Sequence, residues 1–168
     1  MLQIRRATKA DAQSLIDYVK QVATETDFLT IGAGDFKFTV AQEEQFIEEH
    51  NSTANQIFLV AELNQKIVGL LNVSASQKPR LMHIGDFGIT VLKEHWHKGI
   101  ATALIQAMLN WAKASGVIRK INLTVQANNE AAIKLYKKFG FEKEGTIKRG
   151  SFANGAFFDD YVMGILID

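Results

Sequence analysis

The stretch from His95 to Thr102 carries residue types that could bind a phosphate. It joins an apolar, strand-like run to an amphipathic helix through a short turn that contains Gly99. The first N–H groups of a helix have no partner inside it, and the helix dipole adds a partial positive charge that attracts anions. The small residues Gly99 and Ala101 would let an anion approach the backbone. Taken alone, a glycine before a helix more often marks only a turn.

Tyr136 is a second candidate for chemistry. It falls in a helix predicted over Asn129 to Phe139, and its spacing from Ala132 and Leu135 turns it inward. An inward tyrosine either packs in the core with its hydroxyl bonded to a neighbour or offers that hydroxyl, with a pKa near 10, to a ligand. Periodicity alone favours packing. In the same way, Asn129 is most simply the N-cap of this helix.

Asp86 is a candidate proton acceptor in a long strand predicted from Leu81 to Val91. His83, three residues earlier, is a second candidate. Gly85 and Gly88 lie inside the same strand, where glycines indicate a bulge or the close approach of another group to the backbone. A bulge changes which residues face which side of a sheet, so both candidates stay open.

Charge is placed unevenly along the chain. Between residues 25 and 49, seven acidic residues stand against the single base Lys37, whereas five bases between residues 93 and 120 stand against Glu94 alone. One region therefore favours cations and the other anions, unless both are simply solvated faces. The histidines do not have the spacing of a metal site and the chain has no cysteine, so we expect no metal.

The length and composition limit which classes of protein the chain can belong to. A length of 168 residues with 47% hydrophobic residues predicts one compact domain over residues 1–168. A net charge of +1 gives no indication of nucleic-acid binding. The first residues do not resemble a signal peptide, and no apolar run is long enough to cross a membrane, so we expect a soluble, cytoplasmic protein without a membrane partner.

Capping residues and periodicity predict the order β-α-α-β-β-β-α-β-α-β-β. Such an order indicates an α+β fold, a mixed sheet with helices covering both faces as in an α/β/α sandwich. An irregular stretch over Thr24 to Phe38 is long enough to be functional or mobile. The predicted strands are Gln3 to Arg6, Gln56 to Glu62, Lys66 to Ser74, Leu81 to Val91, Lys120 to Val125, Phe141 to Gly150 and Ala156 to Ile167; the helices open at Thr8 (with Asp11), Thr39 (with Gln42), the Gly99 turn (closing at Gly116) and Asn129.

These elements resemble the GNAT superfamily of acetyl-CoA-dependent N-acetyltransferases over almost the whole chain. The resemblance rests on their order, on the strand from Gly85 to Val91 that runs into Lys98-Gly99-Ile100-Ala101, and on the block from Asn129 to Phe141. The family pattern at the turn is Gln or Arg, two residues, Gly, one residue, then Gly or Ala. Gly99 and Ala101 match it, whereas Trp96 and His97 stand where an Arg-Gly pair is common.

The resemblance implies an acyl-CoA N-acyltransferase fold, with a mostly antiparallel sheet of about seven strands, and a role for each matching residue. The strand before the turn would be splayed from the next one, with the thioester entering the gap. Tyr136 would face the sulfur, and Glu25, Asp27 and Phe28 in the long loop would line the acceptor pocket opposite the carboxyl-terminal hairpin. The resemblance does not decide the general base, which stays open among Asp86, the first candidate, His83, Glu25 and Asp27. The implied coenzyme contacts are the backbone of Ile89, Thr90 and Val91 for pantetheine, the N–H groups of His97, Lys98, Gly99, Ile100, Ala101 and Thr102 for pyrophosphate, and Asn129 and Tyr136.

The implied activity is transfer of an acetyl group from acetyl-CoA to a primary amine by direct attack in a ternary complex. The acidic loop suggests a small cationic, polyamine-like amine or a peptide amino terminus as the acceptor. The hairpin would also supply homodimer contacts. The alternative is a non-catalytic acyl-CoA-binding or regulatory module, against which Tyr136 argues. Nucleotide-binding proteins of other folds would carry GxxxxGK[ST] or GxGxxG after a strand, and neither pattern occurs in the sequence.

Overall fold

A computed structural model describes residues 1–29 and 32–168. Seven strands and four α-helices follow one another in the predicted order. A 3₁₀ turn over Lys9–Asp11 precedes the first helix, and another over Lys93–His95 precedes the third. The elements are β1 (Leu2–Arg6), α1 (Ala12–Val22), α2 (Val40–Ser52), β2 (Ile57–Leu63), β3 (Lys66–Ala75), β4 (Ile84–Val91), α3 (Ile100–Ser115), β5 (Lys120–Gln126), α4 (Glu130–Lys138), β6 (Glu142–Ala153) and β7 (Ala156–Leu166).

The strands form one sheet in the order β1-β2-β3-β4-β5-β7-β6. Every neighbouring pair is antiparallel except β4 and β5, which are parallel and are connected through α3. The predicted mixed, mostly antiparallel sheet is confirmed. The parallel pair sits at its centre, where a crossover connection is required.

The helices cover both faces of the sheet. Phe58 of β2 packs edge-on against Phe46 of α2 at 5.7 Å between ring centroids. On the other face, a Cβ atom added to Gly69 of β3 would meet Ile100 and Leu104 of α3 at 3.2 Å. Because side chains alternate between faces along a strand, α1 and α2 lie on one side and α3 on the other.

Local signals placed the helix ends correctly. The N–H of Gln42 donates to the Thr39 hydroxyl at the start of α2. Gly116 closes α3 with φ +70°. The Thr8 and Asp11 pair is also present, but it caps the 3₁₀ turn and α1 begins one residue later. The spacing of apolar residues predicts an inward stripe on α3 at Ala101, Leu104, Ile105, Met108 and Ala112. The last four are fully buried, and Ala101 is half-buried.

Two predictions about the fourth strand are wrong. Residues 81–83 form a turn, so the strand begins at Ile84 and His83 lies outside it. No bulge occurs at Gly85 or Gly88, because β3 and β4 pair without a register shift. Gly85 instead allows the Val73 side chain to lie close to the backbone, because a Cβ atom at residue 85 would lie 2.6 Å from that side chain. The final hairpin is also longer than predicted, since β6 continues past Gly150 to Ala153.

Candidate functional site

Six consecutive backbone N–H groups at the start of α3 are free of protein partners in the part of the chain that the structure describes. They belong to residues 97–102, and the first backbone bond at this end joins the Ala103 N–H to the Gly99 carbonyl at 3.0 Å. His97 and Gly99 both have left-handed backbone conformations, with φ of +60° and +80°. A Cβ atom added to Gly99 would meet nothing within 4 Å. The turn is thus an open nest of amide donors at the positive end of a 16-residue helix, suited to a pyrophosphate.

A gap in the sheet opens beside this turn. The parallel pairing of β4 with β5 covers only Ile84, Gly85 and Asp86. On the other side of β4, the Leu92 N–H donates to the carbonyl of Val68 in β3 at 2.9 Å. Main-chain groups alternate in direction along a strand, so those of Ile89 and Val91 point the opposite way, toward β5, beyond the last β4–β5 pair. They can therefore receive an added, strand-like ligand.

Thr90 is oriented differently from its two neighbours. Its backbone is paired with Leu70 of β3. Its side chain lies on the α1 face, where its hydroxyl is 2.9 Å from the hydroxyl of the buried Tyr18. Thr90 therefore connects β4 to α1 and does not turn its backbone toward the gap. Tyr18 has no counterpart among the predicted site residues.

Tyr136 lies on the other face of the sheet. Its side chain is 8% exposed and packs edge-on against Phe87, at 5.7 Å, and Phe141, at 6.0 Å. Burial raises the pKa of Tyr136 to about 12. Its hydroxyl makes no hydrogen bond to any described residue. The ring is thus fixed by packing, while the phenol remains free to donate to a ligand.

Asp86 points away from Tyr136. Its neighbour Phe87 packs on Tyr136, so alternation places the Asp86 carboxylate on the α1/α2 face. Partial enclosure by the protein raises the pKa of Asp86, and the positive charge of Lys120 partly opposes this effect. A carboxylate with a raised pKa is a better proton acceptor. The two predicted catalytic groups therefore lie on opposite faces of the sheet.

Asn122 is the partner of Asp86 in the last β4–β5 pair, at the point where the gap begins. Its side-chain oxygen is fully enclosed and has no hydrogen-bond partner within residues 1–29 and 32–168. Nearby, the Lys120 ammonium donates to Glu144 at 2.6 Å. No local sequence signal selects Asn122, since only the register of the parallel pair brings it to this place.

A cavity of about 310 Å³ lies between the long loop and the carboxyl-terminal hairpin. Its lining includes Glu25, Asp27 and Phe28, the loop residues predicted to bind the acceptor, together with Asn154 from the hairpin. The Asp27 carboxylate accepts a hydrogen bond from the Asn154 side chain at 2.6 Å, which ties the loop to the hairpin. Residues that sequence reasoning missed also line it: Thr26, Trp96, Gln126, Asn128, Ala153 and Phe158.

The carboxylates of this cavity accept hydrogen bonds from neutral groups. Glu25 accepts the backbone N–H of Lys93 at 3.0 Å, and Asp27 accepts a neutral amide. Within the described residues, neither forms an ion pair, and no lysine, arginine or histidine lines the cavity. Neutral partners orient a carboxylate without cancelling its field, so the cavity attracts cations.

The remaining predicted residues are positioned by helix ends. Asn129 caps α4 by accepting the Ala132 N–H at 3.4 Å. The Lys98 ammonium donates to the carbonyl of Glu94 at 2.9 Å, on its own turn. Trp96 donates its indole N–H to the Val91 carbonyl at 2.8 Å. No group of three metal-ligating side chains is found among the described residues.

Comparison with known proteins identifies the family. Residues 16–141 match the acetyltransferase (GNAT) family. The chain belongs to this family. The crystal structure of a GNAT-family acetyltransferase from Streptococcus pneumoniae is 40% identical and superposes with a TM-score of 0.97, covering 100% of both chains. The fold and the family predicted from the sequence are thereby confirmed.

Two relatives carry more specific names. The L-amino acid N-acetyltransferase AaaT of Escherichia coli is 41% identical over 109 residues, which cover 62% of this chain and 65% of that protein, slightly less than two thirds of its length. The spermidine N(1)-acetyltransferase of Vibrio cholerae is 30% identical over 124 residues, which cover 74% of this chain and 70% of that protein. In the described part of the chain, no helix is long and apolar enough to cross a membrane.

Proposed function

We propose that this protein transfers the acetyl group of acetyl-CoA to a primary amine, and that a cationic amine is the preferred acceptor. The observation that carries the donor side is the combination of free N–H groups over residues 97–102 with main-chain groups of Ile89 and Val91 that face the gap and have no strand partner there. The first set fits the pyrophosphate and the second fits the amide groups of pantetheine. Coenzyme A is the ligand class that needs both, a few residues apart.

The reaction follows from what lies on each side of the gap. A primary amine has a pKa near 10.4, so at pH 7 only about one molecule in a few thousand is neutral and able to attack. Asp86, on the α1/α2 face, removes the proton directly or through a water. The amine nitrogen forms a bond to the acyl carbon and the carbon–sulfur bond breaks, so that coenzyme A leaves as a thiolate.

Tyr136 stabilises the leaving sulfur through a hydrogen bond. The thiol has a pKa near 8.5, whereas burial raises the pKa of Tyr136 to about 12. The phenol is the weaker acid of the two, so full proton transfer from the phenol to the thiolate is unfavourable. A hydrogen bond carries no such penalty. Tyr136 therefore acts as a donor to the developing thiolate, which then takes its proton from solvent.

The charge of the cavity supports a cationic acceptor. Glu25 and Asp27 lie beside the aromatic side chains of Phe28 and Phe158, a combination suited to an ammonium group on an alkyl chain. An amino-acid acceptor, such as the name of the E. coli relative indicates for that protein, also brings a carboxylate. The described lining has no positive side chain to receive it. Polyamine-like amines are therefore the first choice and amino acids the second.

The test is an acceptor screen with acetyl-CoA in which released thiol is measured. We expect polyamines to react with at least tenfold higher kcat/KM than neutral amines of similar length or α-amino acids. Glu25→Gln keeps the acceptor of the Lys93 N–H and removes one charge, so it is a matched variant. It should raise the KM for cationic amines about threefold to tenfold and leave the KM for neutral amines unchanged. Preference for an amino acid would overturn the choice of acceptor, and absence of thiol release with every amine would overturn the activity.

A further inference from the structure

Trp96 connects the coenzyme side of the site with the acceptor side. Its indole N–H donates to the Val91 carbonyl at 2.8 Å, and its ring lines the acidic cavity together with Phe28 and Phe158. It stands at the position where the family pattern has Gln or Arg. We propose that Trp96 is a gate: its indole covers the Val91 carbonyl in the free protein, and coenzyme A displaces it, which reshapes the acceptor cavity. This inference rests on the proposed function.

The position of the indole makes the competition unavoidable. The Val91 carbonyl points toward the gap, because the Leu92 N–H next to it is bonded on the opposite side of β4. An added strand would run about 4.8 Å from the β4 backbone. An indole nitrogen 2.8 Å from the carbonyl oxygen lies inside that layer. A pantetheine arm that pairs with Val91 therefore takes the place of the indole.

The indole is free to move. Trp96 is 39% exposed, and among the described residues the Lys93 ammonium lies 6.0 Å from its ring centroid. A side-chain rotation therefore releases it without disturbing the core. The cavity beside it holds the side chains that we assign to the acceptor, so its wall changes when the coenzyme enters.

Fluorescence tests the movement directly. The chain has two tryptophans, and the other, Trp111, lies on α3 away from the cavity lining. In Trp111→Phe, the emission reports Trp96 alone. Titration with free coenzyme A should then shift or quench this emission by at least 10–20%, with a midpoint equal to the Kd from calorimetry. The Trp96→Phe variant should show no such change, because its remaining tryptophan is remote.

Affinity tests the competition. Trp96→Phe keeps an aromatic ring and removes the N–H that occupies the Val91 carbonyl. It should bind free coenzyme A about twofold to tenfold more tightly than the wild type, the range that corresponds to one net hydrogen bond. Trp111→Phe is the matched control and should bind as the wild type does. Thermal unfolding of both variants verifies that each is folded.

The outcomes separate the gate from the proposed function. The gate is supported if calorimetry detects binding of coenzyme A, the Trp96 emission changes, and Trp96→Phe binds more tightly. If calorimetry detects binding but the Trp96 emission is unchanged, or Trp96→Phe binds equally or more weakly, the gate is overturned and the acetyltransferase assignment stands. If calorimetry detects no binding of coenzyme A to the wild type, both are overturned.

Discussion

Replacing Tyr136 with phenylalanine separates a catalytic hydroxyl from a packing residue. The ring lies between Phe87 and Phe141, and phenylalanine keeps both contacts. The hydroxyl has no partner among the described residues, so its removal breaks no internal hydrogen bond. We expect the free energy of unfolding to change by less than about 0.5 kcal/mol, which for a protein of this size is less than about 2 °C in Tm.

Turnover should respond very differently from stability. Loss of a group that assists departure of the thiolate should lower kcat about 10- to 1000-fold, equivalent to roughly 1.4–4 kcal/mol of transition-state stabilisation. Thiol release at saturating acetyl-CoA measures this. Since the pKa of Tyr136 is raised to about 12, its phenol stays protonated between pH 6 and 10, and the ratio of wild-type to variant kcat should be constant over that range.

Tyr18→Phe provides the contrast, because the same atom is removed where it is bonded. The Tyr18 hydroxyl lies 2.9 Å from the Thr90 hydroxyl in a buried position, so this variant should lose about 1–2 kcal/mol and several degrees of Tm. Unchanged kcat in Tyr136→Phe would show that Tyr136 only packs. A ratio that falls toward one between pH 9 and 10 would show that the phenol ionises earlier than its burial implies, and would refute the reasoning from its pKa.

Three further predictions concern the turn and the strand beside it. Gly99→Ala should lower the free energy of unfolding by about 1–2 kcal/mol, because residue 99 has a φ of +80°. It should also weaken binding of coenzyme A at least tenfold in calorimetry, since the added Cβ atom meets no protein atom within 4 Å and can obstruct only a ligand; equal affinity would show that the backbone at residue 99 does not bind the pyrophosphate. Gly85→Ala places a Cβ atom 2.6 Å from the Val73 side chain and should destabilise the protein by about 1–3 kcal/mol in denaturant titration, whereas a neutral effect would mean that the β3–β4 contact relaxes freely. In Asp86→Asn, kcat/KM should fall. We expect the wild-type kcat/KM to decrease further at acid pH, where the Asp86 carboxylate with its raised pKa becomes protonated and can no longer accept a proton, and the variant should lose this decrease; a variant that keeps it would assign the base to another group.

Much of the fold could be predicted because its signals are local. Thr39 with Gln42, Gly116, and Asn154 with Gly155 each mark the end or the turn of an element through its own backbone geometry, and the structure has the elements there. The amide nest at Gly99 is local in the same sense. A left-handed residue and a helix start lie within three positions of each other, so sequence spacing alone brings them together.

The errors and omissions have a different origin. A glycine inside a strand indicates either a bulge or a close contact, and at Gly85 the decision depends on Val73, which reaches it only through the register of β3. The face of Asp86 depends on that register too. The cavity joins four segments that are distant in sequence, so Gln126 and Phe158 gave no local signal. Trp96 offered one, an indole N–H in need of a partner, but the sequence could not say which carbonyl it would find.

The unpaired groups of the site are a consequence of how the central strands are held. All seven residues of β5 pair with β7, and β4 pairs with β3 from Gly85 to Val91, so each strand is secured on its outer side. The inner pairing can therefore end at Asp86 without loosening either strand. The end of this pairing costs free energy at Ile89 and Val91, because main-chain N–H and C=O groups inside a protein require hydrogen-bond partners. Trp96 supplies one of those partners in the free protein, at Val91. In the proposed complex a coenzyme arm would supply them all, so the same break in the sheet that leaves these groups without a strand partner would also give the ligand its binding free energy.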